Sequence, residues 1–120
     1  MQKLAKREEQ IMQACWHLGK AFIKEIIAQL PEPKPHYNSV ATMVRILEEK
    51  GFLSHETFGN TFQYFPVVSK EEYQNLAFDD IVQKYFNNSY PRMLAYFAKE
   101  QKISREELNE LLELIQSQKK

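Results

Sequence analysis

Apolar residues recur at helical spacing along the first third of the chain. Leu4, Ile11, Cys15 and Leu18 share one face, with Met12 beside them, and predict a helix over residues 3–18 stopped by Gly19. Phe22, Ile23, Ile26, Ile27 and Leu30 predict a second helix over 22–30. The run PEPKP at 31–35 ends it, because closely spaced prolines remove backbone donors and clash with the preceding turn. Val40, Met43, Val44 and Leu47 form an i, i+3, i+4, i+7 stripe. They predict a third helix that starts near Asn38 or Ser39, either of which can cap it, and closes at Gly51.

The period then changes. Residues 52–58 and 61–65 are rich in β-formers, with Gly59-Asn60 between them as a hairpin turn signal, and Pro66 ends the second strand. Ser69 followed by Glu72 is a capping box that opens a long helix over about residues 70–86. Asn87 to Pro91 reads as a break, followed by a short helix over 92–100. Ser104 with Glu107 is a second capping box, opening a last helix that frays from Gln116 onward. Three helices followed by a hairpin is the order of a winged helix-turn-helix. The predicted fold is mostly α with a small β-hairpin wing: a winged helix-turn-helix over residues 1–69 and a C-terminal helical region over 70–120.

Charge complicates that picture. The chain has 16 basic and 16 acidic residues, whereas a nucleic-acid binder commonly shows an excess of Lys and Arg. Any contact with DNA must therefore rest on local pattern. With Val40 at the centre of the buried stripe, Asn38, Thr42, Arg45 and Glu49 project oppositely at 3.6 residues per turn. That suits a recognition helix, whose N-terminal residues meet base edges in the major groove. Threonine can contact a base through its hydroxyl or its methyl, and arginine can fork onto guanine. An ordinary solvated helix face has the same polarity; the helix–helix–helix–hairpin order is what favours DNA. Lys20, Lys24, Lys34 and His36 gather around the second helix, with Lys3, Lys6 and Arg7 on the first. Each is a candidate phosphate contact or scattered surface charge. The aromatics of the hairpin, Phe52, Phe58, Phe62, Tyr64 and Phe65, are expected to pack on the helices rather than stack on bases.

Other chemistry finds little support. Cys15 is the single cysteine, so no intrachain disulfide forms. Cys15 and His17 are two apart on a helix and point in different directions. There is no CxxC, no HExxH and no glycine-rich phosphate loop, so no enzyme activity, metal or cofactor is expected. The start MQKLAKREEQ lacks an apolar signal region, and no apolar run reaches the ~20 residues of a membrane span. The chain reads as a soluble cytoplasmic protein without membrane insertion.

The C-terminal helices carry more apolar surface than a completed winged helix needs. Leu76, Ala77, Ile81, Phe86, Met93, Phe97, Leu108, Leu111, Leu112 and Ile115 must be buried on the same chain or against a second copy. A two-fold homodimer gives a DNA reader two half-sites, so each subunit needs only a few phosphate contacts.

Together these segments resemble the penicillinase-repressor family of bacterial regulators. The likeness lies in Glu9-Gln-Ile-Met with Cys15-Trp16 and Gly19, in Lys24-Glu25-Ile26, and in Tyr37-Asn-Ser-Val-Ala-Thr-Met-Val-Arg-Ile-Leu-Glu-Glu-Lys-Gly51. It continues in Gln63-Tyr64-Phe65-Pro66-Val67-Val68-Ser69 and Ile103-Ser104-Arg-Glu-Glu-Leu108. The resemblance implies a dimeric repressor at a two-fold symmetric operator on double-stranded DNA. DNA contacts are expected from Asn38, Ser39, Thr42, Arg45, Lys24, Lys34, His36 and Asn60. Dimerisation is expected from Leu76, Ile81, Phe86, Met93, Phe97, Leu108, Leu111, Leu112 and Ile115. In the family's penicillinase branch a membrane-embedded sensor metalloprotease leads to cleavage in the dimerisation region, and the matching bond here is Tyr96-Phe97. The chain also departs from the family. It lacks the C-terminal cysteine pairs of the copper-responsive branch and has Tyr96 where the penicillinase branch has asparagine. Phe22 replaces the usual Ser or Thr cap, and the wing tip Phe58-Gly59-Asn60-Thr61 carries no charge. Ala41 and Ile46 stand where relatives carry polar or basic side chains. Two other readings remain: a winged-helix protein-interaction module that does not touch DNA, and a DNA-binding regulator controlled by a ligand among Tyr73, Phe78, Tyr85 and Tyr90.

Overall fold

The computed structural model describes residues 3–118, without the side chains of Ile115 and Gln118. The elements run α1 (Lys6–Leu18), α2 (Ile23–Gln29), α3 (Tyr37–Glu49), β1 (Leu53–Phe58), β2 (Thr61–Pro66), α4 (Lys70–Phe86), α5 (Tyr90–Lys99) and α6 (Arg105–Gln118). The chain divides into two compact units, Met1–Leu76 and Ala77–Lys120. The sequence drew its line at the Ser69 capping box. The first two turns of α4 instead belong with the winged helix.

In the first unit, α1, α2, α3 and the hairpin enclose one core. Ile11, Met12, Cys15, Ile26, Val40, Val44, Leu47, Phe52 and Leu53 are buried there, with Tyr73 contributed by α4. The predicted helical stripes supply most of it. Leu4 is buried too, although α1 begins only at Lys6; its backbone N–H donates to the Tyr73 hydroxyl at 2.9 Å. The Tyr73 ring lies 5.9 Å from both Trp16 and Phe52, centroid to centroid. The Trp16 indole N–H donates to the Val68 carbonyl, also at 2.9 Å. Tyr73 and Trp16 thus tie the chain before α1 and after β2 to the core.

Helix α3 starts at Tyr37 with His36 as N-cap, so Asn38 and Ser39 lie in its first turn and cap nothing. The helix begins where the Val40 N–H can bond the His36 carbonyl, as soon as the proline run has ended. At its far end Gly51 takes a φ of 86°, a left-handed exit that favours glycine. At the tip of the hairpin Gly59 has a φ of 59° and Asn60 does not share the positive sign, the pattern of a type II′ turn. Ala21 exchanges two backbone hydrogen bonds with Tyr64, at 2.9 and 2.8 Å, an isolated antiparallel bridge on the edge of β2 away from β1. This fixes the α1–α2 turn to the wing.

In the second unit, α4 ends on Asn87 and Asn88, both left-handed. The break predicted over 87–91 is shorter than expected. Ser89 caps α5 by accepting the Arg92 N–H at 3.2 Å, and Pro91 sits in the first turn, where its missing N–H is not needed. Val82 and Met93 are buried. Phe86, Tyr96 and Phe97 form a ring cluster with centroids 5.7–6.5 Å apart. The Ser104–Glu107 box is reciprocal, with bonds of 3.0 Å each way. Helix α6 runs on to Gln118, through the residues expected to fray.

Candidate nucleic-acid interface

The outward face of α3 is built by subtraction. Val40, Val44 and Leu47 are fully buried, which turns Asn38, Ser39, Thr42 and Arg45 to solvent. Among the described residues, the Asn38, Ser39 and Arg45 side chains have no hydrogen-bond partner. Thr42 differs: its hydroxyl donates to the Asn38 carbonyl at 2.9 Å, one turn back. Ile46 stands on the same face, 38% exposed. The sequence marked it only as a departure from relatives; its i+4 spacing from Thr42 was the available signal.

The wing stands against α3 through His55. Its Nδ1 lies 2.8 Å from one Glu48 carboxylate oxygen and 2.9 Å from the other. The His55 ring packs on Phe62 at 4.3 Å and on Tyr64 at 5.6 Å. Tyr64 is buried, and burial raises its hydroxyl's pKa, with the Glu48 charge adding to the rise and Arg45 opposing it. Of the hairpin aromatics, Phe52 and Tyr64 are buried as expected, while Phe58 and Phe62 are exposed. Phe58 makes an edge contact with Phe22 at 6.0 Å. Asn60 is exposed at the turn.

The basic residues behave unequally. Lys24 is exposed, beside a shallow concavity lined by Phe22, Ile23, Glu25, Tyr37 and Thr61. Lys34 turns back onto the end of α2, where its ammonium donates to the carbonyls of Ala28 at 3.0 Å and Leu30 at 2.5 Å. It serves as a C-terminal cap there, and a phosphate contact would require releasing those bonds. Lys20 pairs with Glu56 at 3.1 Å. His36 is exposed as the N-cap of α3, with its side chain unused in capping. Phe22 offers α2 no cap, and Glu25 compensates by accepting the Phe22 N–H at 2.8 Å.

No group of side chains able to hold a metal ion occurs among the described residues, and no described helix is long and apolar enough to cross a membrane. Burial pushes the Cys15 thiol up to about 12, so it stays protonated at neutral pH and packs as an apolar group. His17 on the same helix is exposed.

The residues named for dimerisation fall into different settings. Leu76 packs against the core of the first unit, and Met93 is buried. Ile81 and Leu112 are exposed; Phe86, Phe97, Leu108 and Leu111 are half-buried. The Ile115 side chain lies outside the described residues. Exposed Phe78, Tyr85 and Leu114 were absent from that set. Of the four aromatics considered as a ligand pocket, Tyr73 belongs to the core of the first unit. Phe78 and Tyr85 are exposed, and the Tyr90 hydroxyl donates to Asp79 at 2.5 Å.

Three helices closed by a two-stranded hairpin, with the third helix open along its outer face, define a winged helix-turn-helix protein. The penicillinase repressor family model matches residues 4–117, and the chain belongs to that family. It is similar to the penicillinase repressor of Bacillus licheniformis, with 24% identity over 118 residues, 98% of this chain and 92% of that protein. It is also similar to the methicillin resistance regulatory protein MecI of Staphylococcus aureus (strain N315), with 19% identity over 114 residues, 94% of this chain and 93% of that one. The solved structure of a CopR repressor aligns with 55% of this chain and 97% of its own, at 34% identity and a TM-score of 0.47.

Proposed function

We propose that this protein is a transcriptional repressor that binds a two-fold symmetric operator on double-stranded DNA as a homodimer in the cytoplasm. The winged helix reads the DNA and the C-terminal helices, over about 70–120, hold the dimer together. The observation that carries the reading is the open face of α3, with Asn38, Ser39, Thr42 and Arg45 exposed in a member of a repressor family. Lys24, His36 and Asn60 are the proposed flanking contacts, and Lys34 joins them where DNA competes with its bonds to α2. On this reading the zero net charge is tolerable because a dimer doubles the few phosphate contacts of each subunit.

Release on the same reading follows from a cut at Tyr96–Phe97, made through a membrane sensor metalloprotease system. Tyr96 is 44% exposed, but the bond lies inside α5, so a protease needs local unfolding first. The cut would open the Phe86–Tyr96–Phe97 ring cluster and separate α6 from the rest of the chain.

The test is selection of random duplex DNA on the full chain, followed by sedimentation of the complex. A two-fold symmetric motif bound by two copies is expected. A second reading, a protein-interaction module, draws on exposed Phe58 and Phe62 at an uncharged wing tip. Failure to enrich any motif would favour it and overturn the repressor. For release, an engineered protease site at 96–97 is cut in the purified dimer. Unchanged operator affinity after the cut would eliminate that mechanism.

A further inference from the structure

Thr42 carries more information than its exposure. Its hydroxyl proton is engaged by the Asn38 carbonyl at 2.9 Å, so the hydroxyl cannot also donate to the acceptor atoms of guanine or thymine. The oxygen can still accept a hydrogen bond, but thymine offers only an acceptor and its 5-methyl in the major groove, so toward thymine the γ-methyl is the group that Thr42 presents. One turn further along α3, Ile46 is exposed although Val40, Val44 and Leu47 already meet the helix's need for a buried face. Residues four apart are neighbours on a helix surface, so the Thr42 methyl and the Ile46 side chain form one small apolar strip. Asn38 and Arg45 stand on the other flank of the same exposed face by helical spacing. The feature of a base pair in the major groove that an apolar group recognises is the thymine 5-methyl.

We infer that Thr42 and Ile46 read thymine 5-methyl groups, so that each operator half-site carries thymines whose recognition depends on the methyl and not on hydrogen bonding. Ile46 is then a specificity-determining residue of this chain, and Thr42 acts through its methyl. The inference rests on the DNA-binding reading above and names what α3 recognises.

The test uses the duplex motif that the full chain selects from random DNA, prepared with thymine or with deoxyuridine, which lacks only the methyl. Affinity for each is measured by fluorescence anisotropy at one fixed salt concentration. Removing the methyls is expected to weaken binding about fourfold for each contacted thymine, on the order of tenfold or more over two half-sites. Thr42→Val, which keeps a methyl in place, retains the preference for thymine. Thr42→Ser and Ile46→Ala shrink it, with thermal unfolding by circular dichroism confirming that each variant is folded. Equal affinity for the two duplexes overturns the inference and leaves the repressor reading standing. A preference for thymine that survives in both Thr42→Ser and Ile46→Ala overturns it as well, since the contact would then lie elsewhere. Failure to bind any duplex overturns the repressor reading, and the inference with it.

Discussion

The two units handle their apolar residues in opposite ways. The first closes a core that includes Leu4 and Tyr73, and its exposed apolar side chains, Tyr37, Ile46, Phe58, Phe62 and Val67, lie outside that completed core. The second buries only Val82 and Met93 among its described apolar side chains, and exposes Phe78, Ile81, Tyr85, Tyr90, Tyr96, Leu112 and Leu114. Scattered apolar exposure is normal on any surface, but a concentration of it marks an interaction surface. A unit that satisfies itself can act as a reading head, and one that does not has reason to meet a second copy.

The largest effect that could break this comparison is a truncation. A fragment of residues 1–76 should fold and sediment as a monomer. A fragment ending at Ser69 loses Tyr73, and with it the bond to Leu4 and the packing on Trp16 and Phe52. Its stability to urea should fall by about 3–5 kcal/mol relative to 1–76, the usual cost of deleting a large buried aromatic. If 1–76 sedimented as a dimer, the first unit would not be self-sufficient.

Leu76 and Leu112 sharpen the comparison, since the sequence placed both in one dimerisation set. Leu112→Ala removes a side chain that is 47% exposed, with about half of its burial still to gain. That is about 1 kcal/mol per copy. In a two-fold interface it counts twice, weakening the dimer about thirtyfold by sedimentation. Leu76→Ala should lower the melting temperature and leave the dimer constant alone, because Leu76 packs on the first unit's core. A dimer constant that moved equally in both variants would erase the distinction.

What the sequence made legible is what short-range pattern encodes. The stripe of α3, the hairpin turn at Gly59-Asn60 and the boxes at Ser69 and Ser104 each need only a few neighbouring residues to be recognised. Contacts between distant residues carried no such signal. Leu4 and Tyr73 lie 69 positions apart, and nothing near Tyr73 shows that its hydroxyl caps the other end of the chain. Glu8 looks like a solvated helix residue but is nearly buried, held by Lys50 from the far end of α3. Lys34 looked like a free cation, and only the path of PEPKP brings it back onto α2. The outward face of α3 was readable because burial of Val40 dictates it. The engaged Thr42 hydroxyl was not, because residue type leaves hydroxyl and methyl equally available.

Glu8 adds a pH dependence to the first unit. Burial by itself raises the carboxyl's pKa, but hydrogen bonds from Lys50 and the Ala5 N–H, with the Lys50 charge, together hold it below its ordinary value. A carboxyl lowered in the folded state stabilises the fold above its unfolded pKa, about 4.3, and that support is lost as pH falls through the folded value. The 1–76 fragment should therefore lose stability in that acid window. Glu8→Gln should flatten this loss and cost about 1 kcal/mol near neutrality, as expected for a partly exposed ion pair. If the variant kept the full acid slope, the dependence would belong to other carboxylates.

The smallest expected effect concerns how helices begin in the two units. The N-caps of helices α1 and α2, Ala5 and Phe22, have no capping side chain, and each helix relies on a glutamate three residues after its cap, Glu8 or Glu25, to accept the cap residue's N–H. They can do so because Ile11, Met12, Ile23 and Ile26 are buried in the core and set the helices by packing. Helix α6 has no fully buried side chain among those described, and its start depends on the reciprocal bonds of Ser104 and Glu107. The Glu107 carboxyl lies below its ordinary pKa because it accepts the Ser104 N–H, so the cap weakens as acid protonates it. Ser104→Ala should cost α6 about 1 kcal/mol or less, read as faster amide exchange confined to its first turns. Where packing sets a helix, losing a cap is absorbed; where it does not, the loss appears locally. Amide exchange that stayed unchanged in α6 after Ser104→Ala would mean that this helix is already held by burial, as it would be inside a tight dimer.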